Sequence, residues 1–131
     1  MLSIRRETDY AIRCVYYLAG KPGEVTMVDE IAREMCIPKS FLAKIVQKLA
    51  KAKIVKSQVG INGGFSLAKS TVDISFYEVI TAIEGPLAMN TCTVEKKACE
   101  LSSICKVHPI WISVRRDVER ILQEHTFGDI K

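Results

Sequence analysis

Three amphipathic helical stretches followed at once by a glycine-tipped hairpin signature dominate the first half of this chain, and few small folds accept that order. Ala11, Cys14, Val15 and Leu18 recur at helical spacing. Ser3 is the expected cap of that first helix, and Gly20 with Pro22 ends it after Ala19. Thr26 with Asp29 resembles a capping box, opening a second helix whose apolar face is Val28, Ile31 and Met35. Cys36-Ile37 breaks that helix, and Pro38 fits the first turn of a third. Leu42, Ile45, Val46 and Leu49 form the buried side of the third helix. Two short apolar stretches, 54–59 and 65–68, then flank Gly60-Ile61-Asn62-Gly63-Gly64.

Helix, helix, short turn, helix and hairpin is the order of a winged helix-turn-helix domain. Its third helix enters the major groove of DNA, and its hairpin lies along the backbone or minor groove. The charge distribution agrees. Between Met35 and Val72 there is no Asp or Glu, while Lys39, Lys44, Lys48, Lys51, Lys53, Lys56 and Lys69 all fall there. A basic face of this kind suits a polyanion. Ser40, Phe41, Lys44 and Gln47 are the candidates nearest the bases. Lys48, Lys51 and Lys56 are the phosphate candidates, and Lys39 and Asn62 are further candidates for DNA contact.

The second half is organised differently. Ser75-Phe76-Tyr77-Glu78 is a capping box that starts a fourth helix through Val79, Ile80 and Ile83, and Gly85-Pro86 stops it. Residues 87–107 have no periodicity, which in so small a domain calls for something to organise them. Cys92, Cys99 and Cys105 lie in that loop, with His108 three residues further on. Three thiolates close along the chain can converge on one soft metal centre, leaving a fourth position to another ligand. An iron–sulfur cluster, or zinc with a mixed ligand set, suits that pattern, and so does a thiol or disulfide switch. Pro109 then begins a last helix reaching about His125, striped by Ile110, Trp111, Val114, Val118, Ile121 and Leu122. Little of the chain remains to cover this stripe. Trp111, Val114, Val118 and Ile121 are therefore the candidate interface with a second copy. Cys14 and Cys36 read as packing residues, and His125 as a cation near a helix C-terminus.

Five cysteines, an odd number, argue against a disulfide framework. No run of about 18 apolar residues offers a membrane span, and no apolar stretch follows the first basic residues, so the expected compartment is the cytoplasm. No catalytic triad or nucleotide-binding loop is visible, so an enzyme is not expected.

Several stretches together resemble a family of dimeric bacterial transcription regulators, the Rrf-two family. They are Glu7-Thr8-Asp9-Tyr10-Ala11-Ile12-Arg13, Ser40-Phe41-Leu42-Ala43-Lys44-Ile45, the wing Gly60-Ile61-Asn62-Gly63-Gly64-Phe65, Glu84-Gly85-Pro86 and the cysteine loop. The resemblance runs on to Thr126-Phe127-Gly128-Asp129-Ile130. It implies a homodimer, a double-stranded operator of two-fold symmetry, and an iron–sulfur cluster that changes DNA affinity. Cys92, Cys99 and Cys105 match the cluster cysteines. His108 matches the histidine that completes a 2Fe–2S site in some members. Asp9 matches a carboxylate that reaches the partner subunit's 4Fe–4S cluster in others.

The expected architecture is mainly α with a small β-hairpin wing. Residues 1–84 form the winged helix-turn-helix, 85–107 the cluster loop, and 108–131 the dimerisation helix and tail. Two other readings stay open. One is a cluster-free regulator controlled by a partner enzyme or by thiol oxidation. The other is a small iron–sulfur electron carrier.

Overall fold

The computed structural model describes residues 3–95, 99–101 and 103–130. Part of the cysteine loop, 96–98 and 102, and both chain ends therefore lie outside the described residues. The elements in chain order are α1 (Arg6–Ala19), α2 (Val28–Glu34), α3 (Lys39–Lys51), β1 (Val55–Gln58), β2 (Gly64–Leu67), α4 (Phe76–Glu84) and α5 (His108–Glu124). Short 3-10 turns lie at Thr71–Asp73, Thr91–Thr93 and Phe127–Asp129. This is the expected winged helix-turn-helix.

Its core is the seam between α1, α3 and α4. Ala11, Cys14, Val15 and Leu18 of α1 meet Leu42, Ile45, Val46 and Leu49 of α3 and Val79 and Ile83 of α4, all buried. Each Val, Leu and Ile side chain among them contributes about 1.5–3 kcal/mol on leaving water. Tyr17 and Lys21 both donate to Glu30, at 2.6 and 2.7 Å, and pin the end of α1 to α2. Those two hydrogen bonds hold the Glu30 carboxyl below its ordinary value and raise the Lys21 ammonium and Tyr17 hydroxyl above theirs.

The helix ends correct several expectations. Ser3 does not cap α1. The N-cap is Arg5, whose guanidinium donates to the Ile83 carbonyl at 3.1 Å and so satisfies the end of α4. Thr26 does not cap α2, because its backbone is committed elsewhere. It exchanges two hydrogen bonds of 2.8 Å with Phe65, and Met27 becomes the N-cap. Pro38 stands at the N-cap of α3, one residue before the first turn. Ser75 caps α4 as expected, accepting from Glu78 N–H at 3.1 Å, but the Glu78 carboxylate goes to Lys69 rather than back to the cap.

Cys36 does not pack. It is exposed, with φ of 54°, and occupies the left-handed position after α2, while Ile37 turns inward and donates to Ala32 at 3.0 Å. Helix α3 ends identically. Lys53 takes φ of 63°, Ile54 donates to Leu49 at 3.0 Å, and the chain turns into β1. Strands β1 and β2 pair antiparallel, Val55 opposite Leu67 and Gln58 opposite Gly64, so Ile54, Val59 and Ala68 fall just outside the ladder.

The tail returns to the winged domain. Phe127 is buried, stacks on Phe76 with ring centroids 4.5 Å apart, and donates its N–H to Ile74 at 3.0 Å. Phe127→Ala removes that stack and leaves a cavity. It is expected to cost about 3–5 kcal/mol of unfolding free energy, read as a lowered midpoint in urea titration. An unchanged midpoint contradicts the tail's place in the core.

Candidate DNA-binding face and cysteine loop

Burial of the apolar side of α3 turns its other side outward. Lys39, Ser40, Phe41, Lys44, Gln47, Lys48 and Lys51 are all exposed, as are Lys56 on β1 and Asn62 at the wing tip. Phe41 leans on Tyr10 of α1, ring centroids 6.1 Å apart, so it is a partly anchored member of that face. Two of the lysines are paired with acids from outside the acid-free window: Lys39 with Asp29 at 2.6 Å and Lys48 with Glu7 at 3.5 Å. Exposed pairs of this type contribute about 0–1 kcal/mol and yield readily to a phosphate. Among the described residues, Lys44, Lys51 and Lys56 make no ion pair. The sequence reading missed α1 as a source of charge beside this face. Arg5, Arg6 and Arg13 line one recess with Asp9 and Tyr10.

The wing is held firmly. Its β2 end pairs with Thr26 ahead of α2, and Gly64 packs so close that a Cβ there would lie 2.2 Å from the Thr26 carbonyl oxygen. The tip is closed by Gly63 N–H donating to Gly60 at 2.9 Å.

The cysteine loop offers free thiols on a partly anchored frame. All five cysteines are unpaired. Cys99 is exposed, and Cys92 and Cys105 are half-buried. Cys92 Sγ donates to Asn90 Oδ1 at 3.1 Å, and Cys105 N–H donates to Leu101 at 2.7 Å. Arg115 of α5 donates to the Thr93 carbonyl and pairs with Glu119 at 2.7 Å, tying the loop to the last helix. Among the described residues no three His, Cys, Asp or Glu side chains converge to hold a metal ion. The donor set nevertheless fits a soft metal in kind. His108 opens α5, and its Nδ1 is buried without a hydrogen-bond partner among the described residues. That is a ring nitrogen with its lone pair or proton unspent. Asp9 is engaged by Arg13 at 2.8 Å on its own helix.

The expected α5 stripe divides into two. Trp111, Val118 and Leu122 are half-buried within the chain, whereas Ile110, Val114 and Ile121 are exposed. His125 caps the helix end and lies 3.8 Å from Asp129. No helix among the described residues is long and apolar enough to cross a membrane.

Helix-turn-helix, hairpin wing and outward basic helix define a winged-helix transcription regulator that binds DNA. Comparison with known proteins makes the class specific. A family profile described as "Iron-dependent Transcriptional regulator" matches residues 4–131, and the chain belongs to that family, Rrf2. It is 30% identical over 131 residues to the HTH-type transcriptional regulator NsrR of Bacillus licheniformis, across 98% of this chain and 92% of that protein. The structure of CymR, the global cysteine regulator of B. subtilis, superposes with a TM-score of 0.79 at 27% identity, covering 99% of this chain and 96% of that one. IscR of T. potens shares the fold, with a TM-score of 0.78 at 24% identity over 98% of this chain and 85% of that one. These relatives are regulators and not enzymes.

The thiols differ in reactivity. Burial pushes the Cys14 thiol up to about 12, so it stays protonated and shielded. In metal-free reduced protein, a disulfide reagent at pH 8 should modify Cys36, Cys92, Cys99 and Cys105 within minutes and Cys14 only after unfolding. Rapid native modification of Cys14, read by peptide mass, contradicts the packing described.

Proposed function

We propose that this protein is a cluster-regulated transcription factor that acts as a homodimer on a two-fold symmetric operator in the cytoplasm. The observation that carries the sensor reading is the loop itself. Three free thiols lie on a segment fastened to α5 through Arg115, and His108, whose buried Nδ1 has no hydrogen-bond partner among the described residues, opens that helix. Cys92, Cys99 and Cys105 would hold the cluster. His108 would complete a 2Fe–2S site, or Asp9 of the partner subunit a 4Fe–4S site, in which case Arg13 must release it. When bound, an iron–sulfur cluster supplies a centre that responds to iron supply, redox state or nitric oxide. Drawing the three cysteines together would constrain the loop, and Arg115 would pass that constraint to α5. The exposed Ile110, Val114 and Ile121, continuous with Trp111 and Val118, are the surface offered to the second subunit. A shift along α5 then alters the separation of the two α3 helices, which must match half-sites about one helical turn apart.

On DNA, Ser40, Phe41, Lys44 and Gln47 face base edges, Asn62 meets the groove from the wing, and Lys39, Lys48, Lys51 and Lys56 meet phosphates. A cluster-free regulator is the second reading. It is favoured by the lack of converged ligands among the described residues and by the likeness to a cysteine regulator.

Two measurements test the proposal. Anaerobic reconstitution should give a brown protein with iron and sulfide in it. Single Ala variants of Cys92, Cys99 and Cys105 should each lose that cluster. Loss in His108→Ala assigns the fourth ligand there, and loss in Asp9→Ala assigns it across the dimer. A colourless wild-type protein, or full iron content in all three cysteine variants, refutes the cluster. The second measurement concerns DNA. Lys48→Ala with Lys51→Ala should weaken binding to all duplexes alike and flatten the plot of log affinity against log salt by about one unit per lost contact. An unchanged slope refutes these phosphate contacts.

A further inference from the structure

The wing tip is an unusual object for a surface that meets a polyanion. From Ser57 to Ala68 there is no charged residue at all. Two apolar side chains there are almost fully exposed: Val59 at 96% and Ile61 at 98%. Single exposed apolar residues are common on proteins. Two of them within three positions, on a tip whose other side chains, Gln58 and Asn62, are uncharged, are less so. Gly60, Gly63 and Gly64 surround Ile61, leaving it a narrow prow.

The turn's shape depends on its glycines. A Cβ at Gly63 would fall 2.3 Å from the Gln58 carbonyl oxygen, and Gly60 holds φ of 118°, so neither position takes a larger residue without strain. The base is locked by the Thr26–Phe65 pair and the close approach of Gly64.

We infer that Val59 and Ile61 form an apolar wedge that enters the DNA minor groove and sets sequence preference at the operator flanks. This rests on the DNA-binding reading above and deepens it. The tip continues the exposed basic face through Lys56, which stands at the wing's base and makes no ion pair among the described residues. With Lys56 on the phosphates, the tip is carried toward the groove between them. That groove is narrow, about 6 Å, and its walls are sugar C–H. Its floor carries a projecting amino group at G·C pairs and none at A·T pairs. An uncharged apolar tip fits the bare floor and clashes with the amino group. It also unstacks flexible steps, as inserted Ile and Leu side chains do. The preference is therefore for A·T steps, gained without counterion release.

The test uses the full-length protein in its DNA-binding form and a duplex selected from a random pool. Ile61→Ala should lose about tenfold in affinity for that duplex, the scale of burying one aliphatic side chain. Its salt slope and melting temperature should match wild type, since the residue touches nothing in the free protein. Converting the flanking A·T pairs to G·C should weaken wild type about as much, and inosine·C pairs, which lack the minor-groove amino group, should restore it. Ile61→Ala should be indifferent to these changes. Val59→Lys should add about one unit to the salt slope and relax the flank preference. Wild-type affinity for Ile61→Ala overturns the wedge, as does a G·C penalty that inosine does not relieve, because that places the contact in the major groove. If wild type selects no duplex, the DNA-binding reading itself fails, an outcome distinct from failure of the wedge.

Discussion

The rotation of α3 about its own axis governs what this molecule can present to DNA. Leu42, Ile45, Val46 and Leu49 are sealed between α1 and α4, and together they fix that rotation. A helix with four buried positions in one stripe cannot roll without exposing apolar area, at about 25 cal/mol for each Å². Lys44, Gln47, Lys48 and Lys51 therefore face outward because their neighbours face inward. The acid-free composition of the segment then makes the outward side electropositive. The wing follows from the same constraint, since the left-handed Lys53 at the end of α3 turns the chain straight into β1.

The second half of the chain is tethered to this head at both ends. Gly85 leaves α4 toward the cysteine loop, and the tail comes back through the Ser75–Thr126 bridge and the Phe76–Phe127 stack. Helix α5 is thus followed by a tail seated in the core, packs against α4, and is tied to the loop near its own middle through Arg115 and Thr93. None of its residues is fully buried within the chain. In the proposed dimer, that arrangement would let cysteine chemistry in the loop alter the spacing of the recognition helices.

Most of the head was legible in the sequence because its signals are periodic. The stripes of α1 and α3 and the glycine-rich tip each mark their own element, and Ser75 caps α4 where the pattern places it. What was illegible depended on partners distant in the chain. Thr26 has the chemistry of a cap, but its backbone is claimed by Phe65, nearly forty residues on. Cys36 and Lys53 both take the left-handed position that glycine usually marks, so neither helix end announced its geometry. The dual character of the α5 stripe was hidden because periodicity reports that a face is apolar, not which part of it the same chain covers. For the site, the donors on the cysteine loop were legible as residue types. Among the described residues they do not converge, and spacing alone does not say whether a metal would draw them together.

Under the proposed function, the state of the cysteine loop sets the affinity of α3 and the wing for DNA. The most direct measurement is titration of one selected duplex with the same protein, anaerobically, before and after removal of its iron by a chelator. The account predicts that the two forms differ in affinity by at least about tenfold, the scale of a typical coupling free energy. The Cys92→Ala variant should bind like the metal-free form under both conditions. Equal affinities for iron-loaded and iron-free wild type, with iron loading verified in the same sample, would contradict it.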